Sequence, residues 1–359
     1  MTATDTARPT TPAPARLDGT RARIADGRAR RTRRRLLVTV VLFVAVVALF
    51  ITMVSVGKTL YSLDEIWRVI LGEKVPGASF TVGTLRLPRA VTGVLAGMAF
   101  GLAGSTFQTM LRNPLASPDI IGITAGASAA AVFAILVLGW SGLGVTVLAL
   151  VVGLATALTI YLLARSPDSV GGRFILIGIG MGALLDGVVS YLLLKASAWD
   201  IPVAMRWLTG SLNGSRWQDL LPLLCAVVVL LPVLVVLGRN LRMLELGDAA
   251  ASSLGVRVDA TRVALILCAV ALAAFATATT GPIAFVAFLA GPIAARLVGP
   301  GSATAVPAAL TGAALVLAAD LIGQFAFDTS FPVGVITGIL GAPFLIALLI
   351  RTNRNGGFS

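Results

Sequence analysis

The sequence contains no histidine and only two cysteines among its 359 residues. Without histidine, imidazole metal sites and histidine acid–base catalysis are excluded. Cys225 and Cys268 lie within apolar runs and form no Cys-x-x-Cys pair, so a thiolate metal site or a disulfide framework has no support. We therefore predict that this chain holds no metal and no cofactor of its own.

The sequence also contains few charged residues. Charged residues make up 12% of the chain and hydrophobic residues 57%, whereas a soluble domain carries about 25% charged residues. Runs with at most one charge are long enough to cross the roughly 30 Å hydrocarbon core as helices. They cover residues 36–57, 90–111, 120–164, 174–194, 220–238, 263–295, 305–327 and 333–350. Breaks that contain glycine divide the third and the sixth of these runs, so the sequence predicts an all-α polytopic membrane protein with about ten transmembrane helices.

The net charge of +12 is distributed unevenly along the chain. Residues 1–35 hold ten arginines among Thr, Ala and Pro residues, a composition typical of disorder. If the N-terminus is inside, 20 of the 28 basic residues lie on the inner side, as the positive-inside rule expects. This pattern argues against nucleic-acid binding. It predicts a disordered basic cytoplasmic tail at 1–35, a membrane domain at 36–350 and a cytoplasmic C-terminal tail at 351–359, in the cytoplasmic membrane.

Two features inside the spans are candidates for function. Gly93, Gly97 and Gly101 recur every four residues and share one helix face, which indicates either close helix packing or the lining of a path. Asp186 and Asp320 each place a charge within a span, where a charge is costly and marks a functional candidate.

A possible nucleotide site is rejected. Gly57 and Lys58 resemble the end of a phosphate-binding loop, but Thr52 stands where the pattern requires its first glycine, and no strand precedes it. Any ATP-driven work therefore requires a partner protein.

The longest inner loop, between Arg239 and Arg262, indicates a contact with another protein. Gly247 and Asp248 followed by alanines predict a short helix whose N-terminal dipole favours the aspartate, and Gly255 marks its end. Such a helix either fits a groove on a partner or is an ordinary structured loop. The candidate coupling residues are Leu244, Gly247, Asp248, Ala249, Ala250, Leu254 and Gly255.

This loop resembles the ATPase-contacting loop of the permeases that import iron-siderophores, haem and vitamin B12. Further blocks are similar to the same family, in the same order. They are Arg86-Leu-Pro-Arg89, Gly104-Ser-Thr-Phe-Gln-Thr-Met-Leu-Arg-Asn-Pro-Leu-Ala-Ser-Pro118, Asp119-Ile-Ile-Gly122, Arg206-Trp-Leu-Thr-Gly-Ser-Leu-Asn-Gly214, Gly281-Pro-Ile-Ala-Phe-Val286, and Pro332-Val-Gly-Val-Ile-Thr-Gly338 with Gly341-Ala-Pro343. The resemblance covers residues 36–350.

The resemblance implies a vitamin B12 importer-like permease bundle embedded in membrane lipid. Two permease subunits, identical or different, would surround a path for an iron-siderophore. Two ATPase subunits would bind ATP and magnesium on the inner side, and an external binding protein would deliver the substrate.

Particular residues acquire expected roles from this resemblance. Arg86 and Arg89 match family arginines that pair with carboxylates of the binding protein. Gln108, Asn113 and Pro114 fall in a matching block and are candidates for the path. Some relatives carry an outward-facing arginine at the position of Gln324, so part of the docking charge differs here.

Three alternatives remain open from the sequence. The substrate could instead be vitamin B12 or haem. An ion-coupled secondary transporter would use Asp186 or Asp320 as its proton site. An intramembrane aspartyl protease would use the same two aspartates, although neither lies in a Gly-Asp context.

Overall fold

The computed structural model describes residues 14–119, 122–164 and 170–354, and these ranges fold into helices joined by turns. The helices are α1 (Pro14–Ser55), α2 (Leu63–Ile70), α3 (Ala78–Phe80), α4 (Leu87–Met110), α5 (Ile123–Leu136), α6 (Leu143–Ala164), α7 (Val170–Lys195), α8 (Ile201–Leu208), α9 (Trp217–Leu244), α10 (Asp248–Ser253), α11 (Val258–Thr280), α12 (Val286–Val298), α13 (Ala305–Phe325) and α14 (Val333–Arg354). A π-helical segment, Thr81–Arg86, joins α3 to α4 without a break.

Ten apolar helices occur in the described part of the chain, which confirms the predicted fold class. Seven are long enough to cross a membrane, and three shorter ones lie within α5, α12 and α14. The predicted break at residues 139–142 separates α5 from α6. The break at Gly281 ends α11, but Gly291 and Pro292 lie inside α12 rather than at its end.

Helix α4 lies at the centre of the bundle and packs against α13, α11, α12 and α9. Its glycines allow this position, because a Cβ on Gly97 would collide with the backbone of Gly312 and Ala313 on α13. A Cβ on Gly101 or on Gly93 would likewise press on α13. The structure therefore places the predicted glycine face in a helix–helix contact, where small residues permit close approach of backbones.

The first helix corrects the expected tail boundary. Residues 14–35 continue the helix of the first span instead of forming a disordered tail. Alanine and arginine are good helix formers, so the span propagates into this segment. Arg34 also anchors it, because its guanidinium donates to the carbonyls of Leu297 (3.0 Å) and Arg296 (3.2 Å) at the end of α12.

The two ends of the chain are only partly described. Residues 1–13 of the predicted N-terminal tail and 355–359 of the predicted C-terminal tail lie outside the described residues. Residues 351–354 continue helix α14, so a tail boundary at residue 351 does not coincide with the end of a helix.

Candidate functional site

The candidate coupling loop folds as the sequence predicts, into the short helix α10. Gly247 precedes it with a φ of 106°, and Gly255 follows it with a φ of 84°, both in the region that favours glycine. Asp248 in its first turn accepts a hydrogen bond from Arg262 Nη2 at 3.1 Å. Leu246 and Leu254 are 68% and 59% exposed on either side of α10. The helix thus presents small and apolar side chains outside the bundle.

Arg112 connects this loop to the central helix. The residue follows α4 and has a backbone φ of 51°, which is unusual for a residue other than glycine. Its guanidinium Nη2 donates to the carbonyl of Leu244, at the end of α9 and the base of the coupling loop. From the sequence alone, Arg112 is only one of the inner basic residues and a member of the Gly104–Pro118 block. Its place in the Arg-Asn-Pro block was the signal for a larger role.

Gln108 fixes the segment that follows α4. Its Nε2 donates to the carbonyls of Phe288 (2.9 Å) on α12 and Pro114 (3.0 Å) in the loop. Within the loop, the Asn113 side chain accepts a hydrogen bond from the backbone of Leu115 at 2.9 Å. Gly291 leaves room for Gln108, since a Cβ there would collide with the amide. The three predicted path candidates, Gln108, Asn113 and Pro114, therefore lie together at a junction of α4, its loop and α12.

Asp119 closes the same loop and was missed by sequence reasoning as a titratable candidate. The residue is half-buried, and its Oδ2 atom is enclosed without a hydrogen-bond partner among the described residues. Burial raises the pKa of this carboxyl from its usual 3.8 to about 7. Residues 120 and 121 of the matching Asp-Ile-Ile-Gly block lie outside the described residues.

Arg86 ties the outer end of α1 to the π-helical segment. Its guanidinium donates to the carbonyls of Val54 and Ser55 (2.9 Å each) and of Thr59 (2.8 Å). These are carbonyls at or beyond a helix end, which have no partner within the helix. Gly57 makes the approach possible, because a side chain there would occupy the position of the guanidinium. Gly57, which does not belong to a phosphate-binding loop, therefore has a structural role in admitting the Arg86 side chain.

Arg89 and Asp320 form a buried ion pair across the outer halves of α4 and α13. Arg89 donates from Nε and Nη2 to the two carboxylate oxygens of Asp320, at 2.8 Å each. Asn213 accepts from Arg89, and Gln324 donates to Asp320 at 2.6 Å. The Asp320 side chain has no exposed surface and that of Arg89 is 17% exposed. We call these four residues the outer charge network.

The outer charge network changes how two predictions are understood. The sequence predicts docking for Arg89 and an intramembrane charge for Asp320, and its local patterns do not connect the two residues. Because Arg89 donates hydrogen bonds to both carboxylate oxygens of Asp320, the ion pair offsets the desolvation penalty of the buried carboxylate. A docking role for Arg86 and Arg89 stays a prediction, and both guanidiniums also have these intramolecular partners.

Asp186 lies in a different environment, on an exposed face in the middle of α7. This helix packs on α5 and α6, and most of its surface is uncovered in the single chain. Ser190 Oγ donates to the backbone carbonyl of Asp186, so the carboxylate itself is not the acceptor. A carboxylate in a membrane span must face protein or water rather than lipid. In the single chain, the face of α7 that carries Asp186 is exposed.

The outer surface carries a second basic feature beside the outer charge network. A cavity of about 290 Å³ is lined by Arg206, Arg216, Asp219, Trp140 and Trp207, among others. Arg206 and Arg216 are exposed, and neither forms an ion pair among the described residues. These two arginines are available to an external partner.

These features define the class of the protein. The described residues form a bundle of ten apolar helices, with the short helix α10 on one face and the outer charge network on the other, an arrangement typical of a membrane transport subunit. In the described residues, no group of three or more Cys, Asp and Glu side chains converges to hold a metal ion.

Comparison with known proteins gives the family. Residues 42–351 match the FecCD transport family, and the chain belongs to that family. The chain is 43% identical to the achromobactin transport system permease protein of Dickeya dadantii, over 83% of this chain and 86% of that protein. It is 39% identical to the ferric enterobactin transport system permease protein of Escherichia coli, over 89% of this chain and 98% of that protein.

Further comparisons agree in fold and broaden the range of relatives. The chain is 39% identical to a cobalamin import system permease protein of Halobacterium salinarum, over 76% of this chain and 74% of that protein. A solved structure described as an inward-facing metal-chelate type ABC transporter superposes with a TM-score of 0.78 at 26% identity, covering 87% of this chain and 98% of that one. By fold and family, the chain is the permease subunit of an ABC importer.

Proposed function

We propose that this permease carries ferric siderophores across the cytoplasmic membrane. The observation that supports the proposal is the identity of 43% and 39% to two permeases named for siderophores, over 83% and 89% of this chain. The chelate keeps its iron throughout, so the path needs no histidine or thiolate ligands. The chain makes and breaks no covalent bond, and ATP hydrolysis belongs to partner subunits.

The mechanism follows from the contacts of α10 and Arg112. We expect two ATPase subunits to bind the exposed surface of α10, one on each permease subunit. Their closure on ATP would shift α10 and, through the bond from Arg112 to Leu244, the loop that Gln108 holds against α12. That loop would then move relative to the central helix. The substrate would gain access to one side of the membrane at a time.

Two further partners fit exposed surfaces of the chain. A second permease subunit, identical or homologous, would cover the face of α7 and enclose Asp186 beside the path. An external binding protein would dock on the face that carries the outer charge network, with Arg206 and Arg216 meeting its carboxylates. The arginine-rich ends of the helices would then face the cytoplasm, as the positive-inside rule expects.

Uptake of radiolabelled iron tests the substrate directly. Cells with and without the gene are given a panel of ferric siderophores that includes catecholates, hydroxamates and citrate. Loss of uptake for one chelate class would support the proposal and identify the class. Arg112→Gln should lower the same uptake while leaving the amount of permease in the membrane unchanged, because it removes a charge-assisted bond to Leu244.

A second candidate substrate has one observation in its favour. The cobalamin permease relative has the same 39% identity to this chain as the enterobactin relative, although over a smaller share of both chains. Labelled cobalamin therefore belongs in the same panel. Unchanged iron uptake together with lost cobalamin uptake would replace the siderophore proposal with this one.

The docking proposal has its own test. Arg206→Glu combined with Arg216→Glu should weaken binding of the external protein about tenfold or more, since reversed charges repel its carboxylates. Lys195→Glu is a control with a charge reversal elsewhere on the same outer side. Unchanged affinity in the double variant would place the docking surface elsewhere, and Arg86→Glu would then be the next variant to measure.

A further inference from the structure

A large cavity opens between α1 and α9 on the arginine-rich face of the bundle. Its volume is about 960 Å³, and Ser105, Gln108 and Thr109 of α4 form its floor. Helices α1 and α9 both pack against α4, but they scarcely touch one another. The bundle therefore has a groove at this end, with α4 behind it, α1 and α9 on its sides, and α12 with the following residues 299–307 also lining it.

The walls of this groove carry an excess of positive charge. Arg35 of α1, Arg239 and Arg242 of α9, and Arg112 line the cavity, whereas Glu245 is its single acidic residue. Arg112 is engaged with the carbonyl of Leu244. Arg35 and Arg239 have neither a hydrogen-bond acceptor nor a carboxylate within ion-pair distance among the described residues. Two guanidiniums without a partner thus line one cavity, and its one acidic residue, Glu245, is influenced by the other two arginines, Arg242 and Arg112.

Exposed apolar side chains lie close to Arg35 and Arg239 on their helices, on the side toward the middle of the membrane. Leu36 lies next to Arg35 and is 63% exposed, and Val236 precedes Arg239 by less than one turn and is 69% exposed. Helix α1 runs away from this face as the residue numbers rise, whereas α9 runs toward it. Both arginines therefore lie at the polar end of an exposed apolar stripe.

This combination matches one class of ligand. We infer that the groove binds the headgroup of an anionic phospholipid, with its phosphate between Arg35 and Arg239 and its acyl chains along the stripes of α1 and α9. Guanidinium groups recognise phosphate through paired hydrogen bonds. Basic pockets between transmembrane helices are suited to anionic headgroups. A soluble phosphate compound would gain nothing from the exposed apolar walls. Anionic lipids are abundant in the leaflet that faces the proposed cytoplasmic side.

The lipid would join two helices that the protein itself leaves apart. Helix α9 ends at the base of the coupling loop, and α1 is fixed to α12 through Arg34. A headgroup held by both walls would therefore brace the base of the coupling loop against the rest of the bundle. This inference adds a ligand that the transport proposal does not need, and it survives if the substrate is a different chelate.

Native mass spectrometry of the full-length chain in detergent tests the site. We expect phosphatidylglycerol to be retained as a one-to-one adduct, and phosphatidylcholine to be retained far less. Arg35→Gln with Arg239→Gln should lower the apparent affinity for phosphatidylglycerol about tenfold, because both phosphate contacts are lost. Arg30→Gln with Arg33→Gln is the matched control, since both of these arginines are exposed on α1 outside the cavity.

A second variant keeps the charges and blocks the space. Gly238 lines the cavity, and nothing lies within 4 Å of a Cβ placed there, so Gly238→Leu should fill the groove without disturbing the helix. We expect Gly238→Leu to lower the retention of phosphatidylglycerol about as much as the double variant Arg35→Gln with Arg239→Gln does. Full retention of the lipid by both variants would overturn the inference.

A soluble competitor identifies the source of the phosphate. Glycerol 3-phosphate carries the same anion without acyl chains, and we expect it to compete only at far higher concentration. Competition at the concentration of the lipid would overturn the assignment to a phospholipid and point to a soluble phosphate compound. Equal retention of phosphatidylcholine would also count against it. Because these measurements need neither transport nor a partner, their failure would leave the proposed function untouched.

Discussion

The two ends of the central helix hold their arginines in opposite ways. At the outer end, Arg89 gives two hydrogen bonds to the buried Asp320, and Asn213 and Gln324 complete the network. At the inner end, Arg112 makes one bond to a backbone carbonyl at the base of the coupling loop. The outer arginine joins two spans side chain to side chain. The inner one joins a span to a loop that is expected to move.

This difference matches what each end must do. A buried ion pair is costly to break, because removal of one partner leaves the other charge without compensation. The outer charge network therefore suits a fixed junction between α4 and α13. A bond to a backbone carbonyl near the surface is weaker and can be remade after a small displacement. The inner end therefore suits an element that transmits motion.

The largest expected effect comes from breaking the outer junction. Arg89→Ala leaves the Asp320 carboxylate buried and unpaired, and it should destabilise the folded protein by about 3–5 kcal/mol. We expect a markedly lower midpoint of thermal unfolding for the purified protein in detergent, and less protein in the membrane.

Two variants test whether this loss arises from the pair. Asp320→Ala added to Arg89→Ala should recover much of the lost stability, since no buried charge remains. Arg68→Ala removes an ion pair to Glu73 whose side chains are about half exposed, and it should change the midpoint little. An Arg89→Ala midpoint equal to that of the wild type would show that the network is not a fixed junction.

An intermediate effect is expected at the moving end. Gly247 has a φ of 106°, so Gly247→Val forces α10 into another orientation, at a backbone strain of about 1–3 kcal/mol. The protein should still reach the membrane, but the ATPase should no longer co-purify and uptake should fall to background. Gly72 on the outer side has a φ of 88°, and Gly72→Val imposes similar strain away from α10. If both variants retain the ATPase equally, α10 is not the coupling element.

The last prediction concerns pH dependence, at the carboxyl in the loop after α4. Burial raises the pKa of Asp119 to about 7, so the folded protein holds a proton there that the unfolded chain releases near pH 4. The contribution of this group to stability should therefore fall as pH rises from about 4 to about 7, and stay level above that. Asp119→Asn cannot ionise and should lack this slope.

Thermal unfolding in detergent across pH 4 to 8 measures the difference between wild type and Asp119→Asn. Glu245→Gln is a comparison on the same face, because its carboxyl also has a pKa that burial raises, against the opposing influence of Arg242 and Arg112. Parallel curves for wild type and Asp119→Asn would mean that the carboxyl is solvated.

Much of the fold follows from the residues alone. The length of the uncharged runs dictates helices that cross a membrane, since a lipid environment leaves backbone groups no other partners. The bounds of the short helix α10 follow from local backbone preferences, since Gly247 precedes it, Asp248 begins it and Gly255 follows its end. For the same reason, the turn at Gly281 was predictable.

Other features could not be derived from local patterns. Arg89 and Asp320 are 231 residues apart, and no property of either residue names the other as its partner. The continuation of α1 back to Pro14 depends on its attachment to the span and on Arg34 at the end of α12. The composition of residues 14–35 by itself favours disorder, because composition does not reveal the contact of Arg34 with the distant end of α12.

The sequence by itself determined the membrane class, the number of apolar helices, the family and the short helix α10, because each rests on hydrophobicity, glycine geometry or a block of adjacent residues. Only the tertiary structure decided which charged side chains pair with one another and which have no partner within the chain. It pairs Arg89 with Asp320, commits Arg86 to the end of α1 and leaves Arg35 and Arg239 facing an open groove. The physical reason is that the cost of a charge in a membrane depends on what lies within a few ångströms of it, and that neighbourhood is set by how the helices pack.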